Sequence, residues 1–138
     1  MSKAPLISII DDDALARDGI RELVESFGYK AVTFSSAAHF LDSGVIAETT
    51  CLITDLQMPG LNGLDLQEAL ELRGNQIPII LVSAYPNDRD RTRSLNGGAV
   101  GFLSKPFDDE ALIKCLTTAI RFAADQASAG ALSRSGGL

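Results

Sequence analysis

Apolar residues along this chain follow two rhythms. Short continuous runs, rich in Ile, Val, Leu and Thr, occupy residues 6–10, 30–34, 50–54, 79–83 and 100–104. Each is too short for a helix, and each predicts a strand, the more apolar ones buried on both faces. Between them the spacing changes to three and four. Ala16, Ile20, Leu23, Val24 and Phe27 form one stripe, with Arg17, Asp18, Arg21, Glu22 and Glu25 on the opposite face. A second helix, after Asn62, carries Leu64, Leu66, Ala69, Leu70 and Leu72. Ala111, Leu112, Cys115, Leu116, Ala119 and Phe122 form a further stripe, predicted to point inward. Ser35 or Ser36 caps a short helix through Phe40 and Leu41. Residues 87–95, from Asn87 to Leu95, are compatible with a helix but have almost no apolar stripe, which predicts a weakly anchored surface helix.

The punctuation agrees with this division. Gly28, Gly74 and the Gly97-Gly98 pair stop helices, and Pro59-Gly60 turns the chain. Asn62 and Asp108 stand where helix N-caps are needed, and Asp65 suits the positive end of its helix dipole. A strand followed by a helix, five times over, predicts an α/β fold: a parallel sheet with helices on both faces. Ligand sites in such sheets lie beyond the carboxyl ends of the strands. The residues carried there are Asp11, Asp12, Asp55, Ser83 and Lys105.

Composition narrows the function. The chain has 138 residues, 46% hydrophobic and 22% charged, which is enough for one domain with an ordinary core. Its formal net charge of −6 argues against DNA or an anionic membrane as a ligand of this chain, since both need clustered Lys and Arg. Cys51 and Cys115 show no CxxC spacing and are expected to be reduced, buried thiols. With no apolar leader in residues 1–5 and no run approaching a membrane span, a cytoplasmic location is expected.

The strand tips carry the chemistry. Two carboxylates about 4 Å apart repel by roughly 4 kcal/mol at an effective dielectric near 20. A hard divalent cation offsets this, and Mg²⁺ takes carboxylates, water and phosphate oxygens in octahedral geometry. Lys105 adds a positive charge that can keep Asp55 ionised or neutralise a phosphoryl group. An ionised Asp in such a setting is a competent nucleophile toward phosphorus. Ser83 offers a hydroxyl to a phosphoryl oxygen.

Asp11-Asp12, the run from Thr54-Asp55-Leu56-Gln57-Met58-Pro59-Gly60 to Gly63, Ser83-Ala84 and Lys105-Pro106-Phe107 together resemble the receiver domain of bacterial two-component response regulators. The FixJ-type transcriptional regulators are the most similar group. The resemblance covers residues 6–124. It implies a flavodoxin-like (βα)5 three-layer sandwich whose central five-stranded parallel sheet has strand order 2-1-3-4-5. It also implies roles. Asp55 accepts a phosphoryl group from a sensor histidine kinase. Asp12 and Asp55 ligate Mg²⁺, or Mn²⁺ in its place, with Asp11 acting through a water and Gln57 through its backbone carbonyl. Lys105 contacts the phosphoryl group and precedes Pro106 through a cis bond. Ser83 swings onto the phosphoryl oxygen and Phe102 rotates with it. Gln57 and Tyr85 stand where the family tunes phosphoryl lifetime. The response is a changed surface on the fourth helix, fifth strand and fifth helix, through which a homodimer can form.

Several residues keep a plainer reading. Asp13 serves equally as a cap for the first helix or as part of the metal shell. His39, the single histidine, lies away from the strand tips and is not a phosphodonor. A phosphohydrolase with an Asp nucleophile, of the haloacid-dehalogenase kind, wants an acid two residues on, where this chain has Gln57. An adaptor that only binds partners has no use for the intact set Asp12, Asp55, Ser83 and Lys105. Residues 1–125 are expected to form the receiver domain and 126–138 a flexible tail or truncated linker. FixJ-type regulators usually continue into a DNA-binding domain, for which this chain has neither the length nor the basic charge.

Overall fold

A computed structural model describes the backbone of residues 4–136 and the side chains of residues 4–126. The strands are β1 (Leu6–Ile10), β2 (Lys30–Phe34), β3 (Cys51–Asp55), β4 (Ile79–Ser83) and β5 (Gly101–Ser104). The helices are α1 (Ala14–Ser26), α2 (Ala37–Asp42), α3 (Gly63–Leu72), α4 (Asp88–Asn96) and α5 (Asp109–Gly136), with a short 3-10 turn at Ile46–Glu48. All strands are parallel, in the order β2-β1-β3-β4-β5. This is the flavodoxin-like α/β fold expected, with each strand within one residue of its predicted span.

The period-two pleat divides the core. Ile7, Ile9, Cys51, Ile53, Ile80 and Val82 face α1 and α5, meeting Ile20, Val24, Leu112 and Leu116. Ile10, Leu52, Ile79 and Leu81 face the other way, onto Phe34, Phe40, Leu66 and Leu70 of the α2 and α3 side. β3 and β4, in the middle of the sheet, are buried at every position. Caps fix where the helices begin. Asp13 accepts from the Leu15 amide, Ser36 from His39, and Asn87 from Asp90. Asn62 and Asp65 form a reciprocal capping box at α3.

One expectation needs correction. Phe122 is not part of the buried stripe of α5 but is 38% exposed, because the sheet it would pack on ends before that turn of the helix. The backbone of α5 is helical through Gly136. Ala and Leu are strong helix formers, and extending a helix already nucleated costs little even through Ser and Gly. Residues 137 and 138 lie outside the described residues.

Candidate functional site

The three strand tips converge. Asp55 is the last residue of β3, Asp11 directly follows β1, and Lys105 directly follows β5. Because β1 and β3 are neighbours in the middle of the sheet, the two carboxylates reach the same side of the carboxyl edge. Asp11 is 1% and Asp55 7% exposed, so both are held where water screens poorly. Asp12 stays exposed. One carboxylate oxygen from each of Asp11, Asp12 and Asp55 lies within 4.8 Å of the other two.

Lys105 joins the two buried acids. Its Nζ donates to Asp11 Oδ2 at 3.0 Å and to Asp55 Oδ2 at 3.3 Å. The remaining oxygens are held by backbone amides. Asp11 Oδ1 accepts from the Asp13 N–H at 2.9 Å, and Asp55 Oδ1 from the Gln57 N–H at 3.2 Å. Arg17 does not reach these carboxylates through a hydrogen bond; it donates to the Asp11 backbone carbonyl at 2.8 Å. The Lys105–Pro106 peptide bond is cis, and the Lys105 N–H donates to the Ser83 carbonyl at 2.8 Å.

Burial is the largest influence on Asp55 and raises its carboxyl above the usual range. The Asp11 charge pushes the same way, while Lys105 and the Gln57 amide oppose both. Lys105 itself is drawn down by burial, but its bonds and charges with Asp11 and Asp55 outweigh this and raise it. Two buried carboxylates therefore share one ammonium, with the Asp12 carboxylate as a third acid beside them. The donor set is all oxygen and its charge is incompletely balanced, which suits a hard divalent cation rather than a soft one.

The approach of α3 shapes the floor of the site. A Cβ on Gly63 would stand 2.9 Å from the Asp55 carbonyl oxygen and 2.6 Å from Leu81 Cδ2, so only glycine lets the helix start this close to β3. The Gly63 N–H donates to Leu56 O at 3.1 Å.

A family model described as the response regulator receiver domain matches residues 7–117. This chain belongs to the response regulator receiver family. Its relatives include the transcriptional regulatory protein FixJ of Azorhizobium caulinodans, 36% identical over 120 residues, covering 87% of this chain and 57% of that protein. The response regulator protein TodT of Pseudomonas putida is 37% identical over 126 residues, covering 91% and 56%. Among solved structures, the response regulator StyR superposes with a TM-score of 0.89 at 32% identity, covering 96% of this chain and 67% of that one. FixJ-N superposes at 0.78 with 25% identity, covering 87% and 96%. This receiver domain spans only about half the length of the curated relatives it matches. Among the described residues no helix is long and apolar enough to cross a membrane.

The other predicted residues in the receiver domain fall as follows. Ser83 is fully buried at the tip of β4, but it does not bond to Asp55. Its hydroxyl meets both side-chain amide atoms of Gln57, with Oγ 2.8 Å from Nε2 and 3.0 Å from Oε1. Phe102 is buried in β5, and the Arg91 guanidinium of α4 sits 5.1 Å from its ring centroid. Tyr85 is 77% exposed and does not cover the acids; its backbone N–H donates to Ser83 Oγ at 3.1 Å. His39 is exposed on α2, with its ring edge-on to Phe34. Burial raises both thiols, Cys51 further through its neighbour Cys115, so they remain protonated.

Sequence reasoning missed two contacts. One is the Gln57–Ser83 pair. The other joins Gln67, buried on α3, to the middle of α4, where its Nε2 donates to Ser94 O at 3.0 Å. Gly97 makes room for it, since a Cβ there would lie 2.9 Å from the Gln67 amide. A glutamine at an otherwise apolar position of a helical stripe was the available signal for the second. Nothing local signals the first.

Proposed function

We propose that this receiver domain, residues 1–125, accepts a phosphoryl group on Asp55 from a sensor histidine kinase and holds it as a signal. The observation that carries the reading is a buried, amide-anchored carboxylate at the tip of β3, beside two further acids and one bridging lysine. A carboxylate oxygen of Asp55 forms a bond to phosphorus, and the bond from phosphorus to the donor atom breaks. Lys105 then has a phosphoryl oxygen to neutralise in place of part of the carboxylate charge. Ser83 and Phe102 respond to the new group, Ser83 by donating its hydroxyl to a phosphoryl oxygen.

Asp12 and Asp55 directly, Asp11 through a water and Gln57 through its backbone carbonyl would hold Mg²⁺, or Mn²⁺ in its place. The cation supplies positive charge against the acids and the phosphoryl oxygens. The all-oxygen, under-neutralised donor set supports this assignment. Gln57 and Tyr85 border the attack path of water and set phosphoryl lifetime. The α4–β5–α5 face carries the response, through a partner or a second copy of the chain, and residues 126–138 lead toward an output unit. Relatives named as transcriptional regulators support a transcriptional output.

The test is incubation with MgCl₂ and acetyl phosphate, followed by intact-mass measurement, with Asp55→Asn as the control. One phosphoryl adduct per chain, absent from the variant, is expected. An adduct that survives the substitution, or rapid multiple turnover of phosphomonoesters, would overturn the reading.

A further inference from the structure

The Ser83 hydroxyl has one proton to donate and two lone pairs with which to accept. In this structure the Tyr85 amide and the Gln57 side chain engage it. Oγ accepts from the Tyr85 N–H at 3.1 Å and lies 2.8 Å from Gln57 Nε2 and 3.0 Å from Gln57 Oε1, and with its O–H on Oε1 it has no proton left for Asp55. The oxygen is fully buried, so no water competes for it. Meanwhile Asp55, on the neighbouring strand, takes its bonds from Lys105 and the Gln57 amide and none from Ser83.

Gln57 therefore sits on both sides of the site. Its backbone N–H orients the Asp55 carboxylate, and its side chain occupies the one hydroxyl at the tip of β4. A hydroxyl buried this completely turns away from its partner only if it gains an equal one, because no water reaches Ser83 to replace Gln57. An ionised phosphoryl oxygen is such a partner, as hydrogen bonds to charged acceptors are about twice as strong as neutral ones.

We propose that the Gln57 side chain is a latch that sequesters the Ser83 hydroxyl and holds the unphosphorylated domain in its resting state. The latch rests on the reading of Asp55 as phosphoacceptor. Gln57 is a positioning residue: it acts on the reaction through Ser83, and phosphorylation releases it by exchanging the Ser83 O–H from Gln57 Oε1 to a phosphoryl oxygen. No proton is transferred in that exchange. With acetyl phosphate as donor, an Asp55 oxygen bonds to phosphorus, the phosphorus–oxygen bond to acetate breaks, and acetate leaves with the electron pair.

The experiment uses the full chain with Gln57→Met, which keeps length and packing but removes both amide atoms, and Gln57→Ala as a second variant should the first fold poorly. The rate of Asp55 adduct formation with acetyl phosphate and MgCl₂ is expected to rise about three- to tenfold, the worth of one net hydrogen bond. In a Ser83→Ala background the same substitution is expected to have no such effect, since the group it releases is gone. Without phosphodonor, the Ser83 and Tyr85 amide resonances of Gln57→Met should move toward their positions in the phosphorylated wild type. A wild type that forms no Asp55 adduct overturns the phosphoacceptor reading and the latch with it. An adduct forming equally fast in both, resonances that do not move, or an acceleration that persists in Ser83→Ala overturns the latch alone.

Discussion

Replacing Asp55 by asparagine should stabilise the metal-free protein. The substitution keeps the shape and removes one charge from a cluster of three acids. At the 4.8 Å limit of the cluster, repulsion between Asp11 and Asp55 is about 3 kcal/mol at an effective dielectric near 20. On the same scale the Lys105 contact at 3.3 Å returns about 5 kcal/mol, part of which it shares with Asp11. Burying the carboxylate costs a further few kcal/mol. The balance is a net cost of about 1 kcal/mol, and the direction agrees with the raised Asp55 carboxyl, for which burial is the largest cause. A raised carboxyl contributes its stability fully below the unfolded value of 3.8 and loses it as pH climbs through the folded one. The variant should therefore melt about 3–5 °C higher at pH 7 in EDTA and converge with wild type as pH falls below 3.8. Added MgCl₂ should stabilise wild type more than the variant, by about 2.7 kcal/mol at a hundred times its dissociation constant if the variant no longer binds it. Thermal melts and urea unfolding from pH 7.5 to 3 together measure all of this. A less stable variant at pH 7, or an advantage unchanged below pH 3.8, would refute the charge accounting.

Lys105→Met should destabilise the metal-free protein by about 2–4 kcal/mol at pH 7, because Asp11 and Asp55 then face each other without a cation. The loss should shrink in an Asp55→Asn background, and an equal loss in both would contradict the shared ammonium. Gly63→Ala should cost about 2 kcal/mol in urea unfolding and slow adduct formation, since its Cβ meets the Asp55 carbonyl. Gln67→Leu should speed amide exchange within α4 and leave the strands unchanged, since it removes the bond to Ser94. Uniform acceleration across the sheet would instead mean that Gln67 supports the whole fold.

The parts of the fold readable from the sequence are those whose cause is local. A run such as Ile79 to Ser83 has no stable use except as a buried strand, and the order of runs and stripes dictates parallel connections. Caps were equally readable, because Asn62 and Asp108 act within three residues of themselves. Asp13 bonds the Leu15 amide, which supports its plainer reading as a helix cap. Periodicity gave the inward face of α5 but not how far the sheet would cover it, which is why Phe122 was misplaced.

The site divides in the same way. Asp11, Asp55 and Lys105 stand out in the sequence because a charge ending an apolar run has no packing explanation, and the structure joins them through Lys105. Gln57 and Ser83 are each readable as residues of the site, but nothing in the sequence joins an amide in a loop to a hydroxyl at a strand end. Their contact spans 26 residues of sequence and exists only once β3 and β4 are paired. The same holds for Gln67 and Ser94, 27 residues apart. Charges at this carboxyl edge are costly and so mark themselves, whereas neutral groups that satisfy one another leave no trace until the fold brings them together. Both glutamines lie on β3–α3 and reach into the β4–α4 segment. Neutral amides are suited to that place: each can let go of its partner without stranding a buried charge, so a change at Asp55 can reposition β4–α4 at the cost of hydrogen bonds alone.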